Sequence, residues 1–311
     1  MTDTTPAILG LPEHAGLPDQ HGADTLHEVS TPMGTSQWRD VWRRFRRNKL
    51  AMVGLTVIGL LVLVAVFAPL LAQHDPLAIS KDLKQPPSAE HWFGTDTIGR
   101  DMFARIVYGA RVSLSVGISA AFIATVMGCF LGALAGYYGG FVDSLLMRAT
   151  DVLLAFPYLI FAIALITVIG RGQATVILVL GFLGWLAIAR VLRASFLQLK
   201  QMEFVEAARA LGASNRRIIT RHLLPNAIQP IIVYSTLLIG TAVLSEAALS
   251  FVGAGIAEPT PSWGLMVNRG SRAVLTSPHL LIFPGGAIFI MVLAFLFVGD
   301  GLRDALDPKL R

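Results

Sequence analysis

Six long apolar runs, separated by short charged or glycine- and proline-containing stretches, set the pattern of this chain. They fall at about 50–72, 112–137, 143–169, 174–192, 227–249 and 280–298. Helices of these lengths cross the roughly 30 Å hydrocarbon layer of a bilayer. The pattern predicts an all-α polytopic membrane protein with six transmembrane helices. Pro157 stands inside the third run and should bend it. Residues 1–35, with Pro6, Pro12, Pro18 and Pro32 and no apolar period, read as a disordered tail. Residues 36–49 place Trp38, Trp42 and Phe45 on one helical face and Arg39, Arg43, Arg46, Arg47 and Lys49 over the rest. That is an amphipathic helix for the membrane interface, aromatic rings at headgroup level and cations toward anionic lipid.

Composition agrees. The chain is 54% hydrophobic and 14% charged, where soluble domains carry roughly 25% charge. The net charge of +5 does not mark a nucleic-acid binder, because the lysines and arginines sit mainly between apolar runs. Placing the N-terminus inside puts most of them in the cytoplasm, as the positive-inside rule requires. Cys129 is the only cysteine and lies within an apolar run. It excludes an internal disulfide, and no Cys/His spacing marks a metal site.

Polar residues inside this frame are the candidates for chemistry. Gly117, Ser119, Gly128, Gly132 and Gly136 let helices approach closely, or line a pore. Asp143, Arg148 and Asp151 open the third run. A charge at the bilayer centre costs about 2.5–3.5 kcal/mol, so these three belong at the cytoplasmic mouth, paired with one another or forming a gate. Glu246, near the outer end of the fifth run, is either a functional intramembrane carboxylate or hydrogen-bonded to the following loop. In the external segment 73–110, Thr95 or Asp96 can cap a helix, and Asp96/Arg100 and Asp101/Arg105 are spaced for i,i+4 pairs. The two aspartates lack the further ligands a metal needs. Trp263, in the loop 253–278, fits an interfacial anchor.

The polar insert 203–225 differs from the other connections. Phe204, Ala207, Ala208 and Leu211 share a helical face, Gly212 can end a helix in the left-handed region, and Ser214 can cap a second short helix. Pro225 should close the unit by pushing residue 224 out of the helical region. Two short helices at a glycine elbow suit docking in a partner's groove; an ordinary cytoplasmic loop is the plainer reading. Glu206-Ala207-Ala208, Gly212 and Leu224-Pro225 resemble the EAA motif of ABC-importer permeases. His222 departs from the isoleucine common in the general motif. Residues 94–101 match GTDxxGRD, and Pro261-Ser262-Trp263-Gly264 and the tail from Gly299 to Asp304 extend the likeness. From about residue 38 to 311 the chain resembles a C-type permease subunit of the dipeptide/oligopeptide/nickel ABC-importer family.

The resemblance implies a type I ABC-importer permease fold in the bacterial inner membrane, both termini cytoplasmic. The core would be 111–300 with coupling helices at 203–225, followed by a cytoplasmic tail, 301–311. Glu206, Ala207, Ala208, Leu211, Gly212, Arg216 and Pro225 map onto the ATPase-coupling element, with Ala207 and Ala208 small enough to seat in a groove. The implied partners are a second (B-type) permease, two cytoplasmic ATPase subunits or domains and an external solute-binding protein. No phosphate-cradling G-x-x-x-x-G-K-[ST] run is present, so ATP and Mg belong to the partners and no cofactor to this chain. The seven histidines form no catalytic constellation along the sequence, so an enzyme is not expected. Di- and oligopeptides are the leading cargo, with nickel or another small solute as the alternative. An ion-coupled secondary transporter would show paired mid-membrane charges or an internal repeat, and apart from Glu246 neither is seen.

Overall fold

The computed structural model describes residues 37–307, with side chains from Arg39 onward. The expected tail 1–35, the side chain of Trp38 and residues 308–311 lie outside the described residues. Among the described residues the secondary structure is helical apart from one isolated bridge, Thr95–Asp101. The first helices are α1 (Gln37–Arg47), α2 (Lys49–Val66) and the single turn α3 (Ala68–Leu71). Asn48 separates α1 from α2: its Oδ1 accepts from the Ala51 N–H and caps α2, while its Nδ2 donates to Asp304. Phe45 does not enter the headgroup layer as its spacing implied. It is buried in a cluster with Ala51, Val298 and Ala305, while Trp42, stacked on it, is exposed.

The central helix is α4 (Met102–Tyr138), packed along α7 (Gln173–Leu199). Lipid gives apolar helices no hydrophobic reason to associate, so close packing has to supply the attraction. Gly128, Gly132 and Gly136 recur every four residues and face Ile188, Ala189 and Phe196 of α7. A Cβ added at Gly132 would lie 2.6 Å from the Ala189 carbonyl oxygen. α4 starts ten residues before the apolar run does. Asp101, not Thr95 or Asp96, caps it, its Oδ1 accepting from Ala104 N–H at 2.6 Å. Asp96 instead accepts from the N–H groups of Ile98 and Arg100 and closes a turn ahead of the helix. With Asp101 so engaged, the expected Asp101/Arg105 pair does not form.

The third apolar run is broken rather than bent. α5 (Gly140–Ala155) and α6 (Tyr158–Ile169) meet at 92°. Phe156 has extended ψ because a residue before proline avoids the helical region, and Pro157 itself is also extended, at ψ 120°. At 12 residues, α6 is about 18 Å long and cannot cross a bilayer alone. Yet α5 begins beside Arg193 at one end of α7, and α6 packs Ile166 near Val176 at the other. The pair together therefore makes the sixth crossing, beside five helices long and apolar enough to span singly. After α7 come the short helices α8 (Glu203–Ala210) and α9 (Asn215–Arg217), then α10 (Leu224–Val252), α11 (Trp263–Ser271) and α12 (His279–Leu306).

Candidate functional site

α8 is a short helix held by two side chains and terminated by its backbone. Val205 and Ala208 are its buried residues, and Val205 joins Tyr137, Phe196, Ile218 and Leu223 in one cluster. Burying a valine side chain contributes about 1.5–3 kcal/mol, enough to hold two turns in place. The end is a full Schellman motif: Ala213 N–H donates to Ala208 O, and Gly212 N–H to Arg209 O. Gly212 has φ +76°, which only glycine adopts freely. Ser214 Oγ then accepts from Arg217 N–H and starts the next helix. Two further contacts fix the unit to the bundle. Tyr137 Oη donates to Asn215 Oδ1 at 2.7 Å, and Lys200 Nζ donates to the Tyr137 carbonyl at 2.7 Å.

The expected apolar face is turned outward. Phe204, Ala207 and Leu211 are exposed, Leu211 to 88%, as are Glu206, Gly212, Arg216 and Pro225. Ala208 is the exception among the motif residues; it faces the body of the chain and cannot seat in a partner. Pro225 does not close the unit. Leu224 keeps helical angles (φ −58°, ψ −44°), and its N–H bonds to Ile219 O, five residues back. Residues Ile218–Leu223 form a π-helical turn whose wider spacing accommodates the proline. The second helix of the elbow is consequently the start of a continuous 38-residue helix, Asn215–Val252.

The charges at this end are arranged differently from their sequence order. Asp143 and Asp151 do not pair with Arg148. Asp143 takes two hydrogen bonds from Arg193, and Asp151 one from Arg190. The partners lie on α7, which α5 crosses, so sequence proximity was a poor guide. Arg148 is exposed and in no ion pair among the described residues. Glu246, at the other end of the bundle, is fully buried. Its Oε1 accepts from Ser250 at 2.7 Å and from Ser262 at 2.6 Å, so it fastens the loop before α11 onto α10. Its Oε2 has no hydrogen-bond partner among the described residues.

Comparison with known proteins decides among the readings. Residues 128–311 match the family described as binding-protein-dependent transport system inner membrane component, and residues 36–87 match the N-terminal transmembrane domain of oligopeptide transport permease C. The chain belongs to this permease family. The glutathione transport system permease protein GsiD of Escherichia coli strain 536 is 46% identical over 286 residues, 91% of this chain and 93% of that one. The dipeptide transport system permease protein DppC of Alkalihalophilus pseudofirmus is 44% identical over 277 residues, 89% and 91% of the two chains. A structure of the MetNI methionine ABC transporter in inward facing conformations aligns with TM-score 0.54 at 21% identity, covering 66% of this chain and 98% of that chain; it shares the fold. The permease is thus a multi-pass protein of the bacterial inner membrane, a transport subunit and not an enzyme. Its family works with a partner permease, ATPases and a binding protein.

At the end of the permease opposite the α8 elbow, the expected Asp96/Arg100 pair forms and is the start of a larger ion-pair cluster around Glu258. Arg100 donates to Asp96 and to Glu258, both at 2.7 Å. Arg269 reaches Glu258 at 3.0 Å, and buried Arg105 lies 3.6 Å from Glu258 and 3.8 Å from Asp96. Burial works to raise the Glu258 carboxyl. The Arg100 hydrogen bond and the charges of Arg100, Arg105 and Arg269 outweigh it and hold the group below its ordinary value. One signal was available: Glu258 is the only acid between residues 253 and 278. Trp263 is 1% exposed, its Nε1 donating to Ile106 O. It is a core residue of the permease, not an interfacial anchor.

Proposed function

We propose that this chain is one of two permease subunits of an ATP-driven importer for small peptides, glutathione among them, and that its 203–225 unit couples it to a cytoplasmic ATPase. The observation that carries the reading is the exposed face of α8. Phe204, Glu206, Ala207 and Leu211 point away from a helix whose other side and whose end are fixed, which is the form of a docking knob. Leu211 sits beside a rigid Gly212 turn and would fill an apolar hollow in the partner. Arg216, Arg217 and Arg221 surround it with charge suited to acidic residues or lipid phosphate.

In this reading both termini and the α8–α9 elbow are cytoplasmic. The complex contains a B-type permease, two ATPase subunits or domains that bind ATP and Mg, and a solute-binding protein on the external face. Asp143, Arg148 and Asp151 stand at the inner mouth, where Arg190 and Arg193 neutralise the two acids. ATP binding would draw the ATPases together and carry the elbow with them. Moving a two-state permease from 1:99 to 99:1 takes about 5.5 kcal/mol of differential binding, which ATP and the loaded binding protein supply jointly. The relatives named for glutathione and dipeptide transport support a short peptide as cargo.

The test is uptake of a labelled dipeptide and of labelled glutathione in a strain lacking the gene. Complementation by the wild type is expected to restore uptake of at least one. Gly212→Asp and Glu206→Lys are expected to reach the membrane in normal amount and to restore neither. Normal uptake in either variant would refute the coupling role. Wild-type complementation that restores only nickel uptake would refute the peptide assignment.

A further inference from the structure

We propose that His74, His91 and Asp101 form a binding site for a divalent first-row transition cation, zinc being the ion their donors suit best. The three residues come from separate parts of the chain: the end of the first span, the middle of the connection to α4, and the cap of α4. The fold brings one donor atom from each within 4.8 Å of the others. His91 Nδ1 lies 2.8 Å and His74 Nδ1 3.7 Å from the same oxygen, Asp101 Oδ2, and the two imidazole centroids are 4.8 Å apart.

The carboxylate divides its work. Oδ1 caps α4 through Ala104 N–H, which fixes the direction of Oδ2 toward the histidines. The backbone of His91 is held as firmly: its N–H donates to Ser88 Oγ, and its carbonyl accepts from Ser88 and Gly94 N–H. Asp75, next to His74, accepts from Leu77 N–H and closes the turn that carries the imidazole. A hydrogen bond between His91 and Asp101 accounts for two members of the set. It does not account for His74, which stands at 3.7 Å, beyond hydrogen-bond range of the same oxygen.

An ion explains all three. Zinc takes nitrogen at about 2.0–2.1 Å and carboxylate oxygen at about 2.0–2.2 Å in a tetrahedral shell. Its ligand atoms then lie about 3.3 Å apart, so side-chain rotations alone would close the present spacing. Two imidazoles and one carboxylate favour zinc and its neighbours over calcium or magnesium, which take oxygen. The side chain of Asp101 is 4% exposed and that of His74 37%. The site is therefore closed behind at Asp101 and open at His74, which lines a cleft of about 630 Å³ with Gln73, Asp75, Tyr108 and Pro261. The fourth position faces that cleft and takes water. The bound ion would brace the external segment against the first turn of α4.

The test uses the full chain, without a histidine tag and with His14, His21 and His27 replaced by alanine to remove the other N-terminal histidines. Zinc is titrated calorimetrically, and cobalt(II) is added as a spectroscopic probe. One zinc per chain, a tetrahedral cobalt spectrum and a higher unfolding temperature with zinc are expected. His74→Ala should weaken binding by about tenfold or more and abolish the thermal shift. Asp101→Asn keeps an oxygen for the cap and should weaken zinc in the same way while the chain stays folded. Absence of stoichiometric zinc in the parent, or undiminished zinc in both variants, would overturn the site.

Discussion

At the scale of single residues, the most consequential side chain is Glu258, which three arginines share at the end of the bundle opposite the α8 elbow. Removing one member of a buried ion pair costs about 3–5 kcal/mol. Glu258 keeps 31% exposure, so Glu258→Gln is expected to cost about 2–3 kcal/mol, read as a lower unfolding temperature in detergent. The pH dependence has a definite sign. The folded carboxyl titrates below its unfolded value. Its contribution is thus complete above the ordinary carboxylate range and is lost as pH falls through the folded value. Acid should narrow the difference between wild type and Glu258→Gln; a constant difference down through that range would contradict the cluster. Glu246 offers a contrasting case. Glu246→Ala strands the buried hydroxyls of Ser250 and Ser262 and should cost about 1–3 kcal/mol, whereas Glu246→Gln retains an acceptor and should cost less in the same melt. Local pairs such as Asp96–Arg100 were legible in the sequence because i,i+4 spacing defines them. Asp143–Arg193 and Asp151–Arg190 were not, because the crossing of α5 and α7 creates them, and Arg100–Glu258 was not, because it joins two connections 158 residues apart.

At the scale of elements, the α4–α7 seam depends on glycine. Gly132→Leu has no space against Ala189 and should cost about 3 kcal/mol; size-exclusion of the solubilised protein should show loss of the folded peak. Leu211→Asp is the opposite kind of change. Leu211 touches little of its own chain, so stability should move by less than about 0.5 kcal/mol, while co-purification with the ATPase and uptake both fall. Span positions were readable because a bilayer demands length and apolarity. Helix ends were less so. α4 begins early because Asp101 supplies a cap outside the apolar run, and the helix that contains α10 begins at Asn215, beside the elbow, because a π-turn absorbs Pro225. The proline rule succeeded at Pro157 and failed at Pro225. In the first case an extended chain lets α5 and α6 diverge; in the second, five-residue hydrogen bonds keep the helix intact.

At the scale of the whole molecule, the family and its transport role were legible from motifs spread over most of the chain. The outward display of α8 and the convergence of His74, His91 and Asp101 needed the fold. An ATP-driven importer makes a physiological prediction. Uptake by cells should persist when an uncoupler collapses the proton gradient with ATP held up, and should stop on ATP depletion with the gradient held up. The reverse pattern would point to ion coupling.

The unbroken helix that leaves the elbow has a mechanical consequence. Near its middle, Ser235 is joined to Thr125 of α4 by a 2.8 Å hydrogen bond. At 1.5 Å per residue, Asn215 lies about 30 Å from that point and Glu246 about 17 Å beyond it. A rod tilting about such a fulcrum has unequal arms. Were the helix to tilt about that point, Glu246 would travel a little over half as far as Asn215, in the opposite sense, and with nearly twice the force. A broad stroke at one face of the membrane would arrive at the other as a short, strong one, applied where Ser262 ties the next loop to the rod.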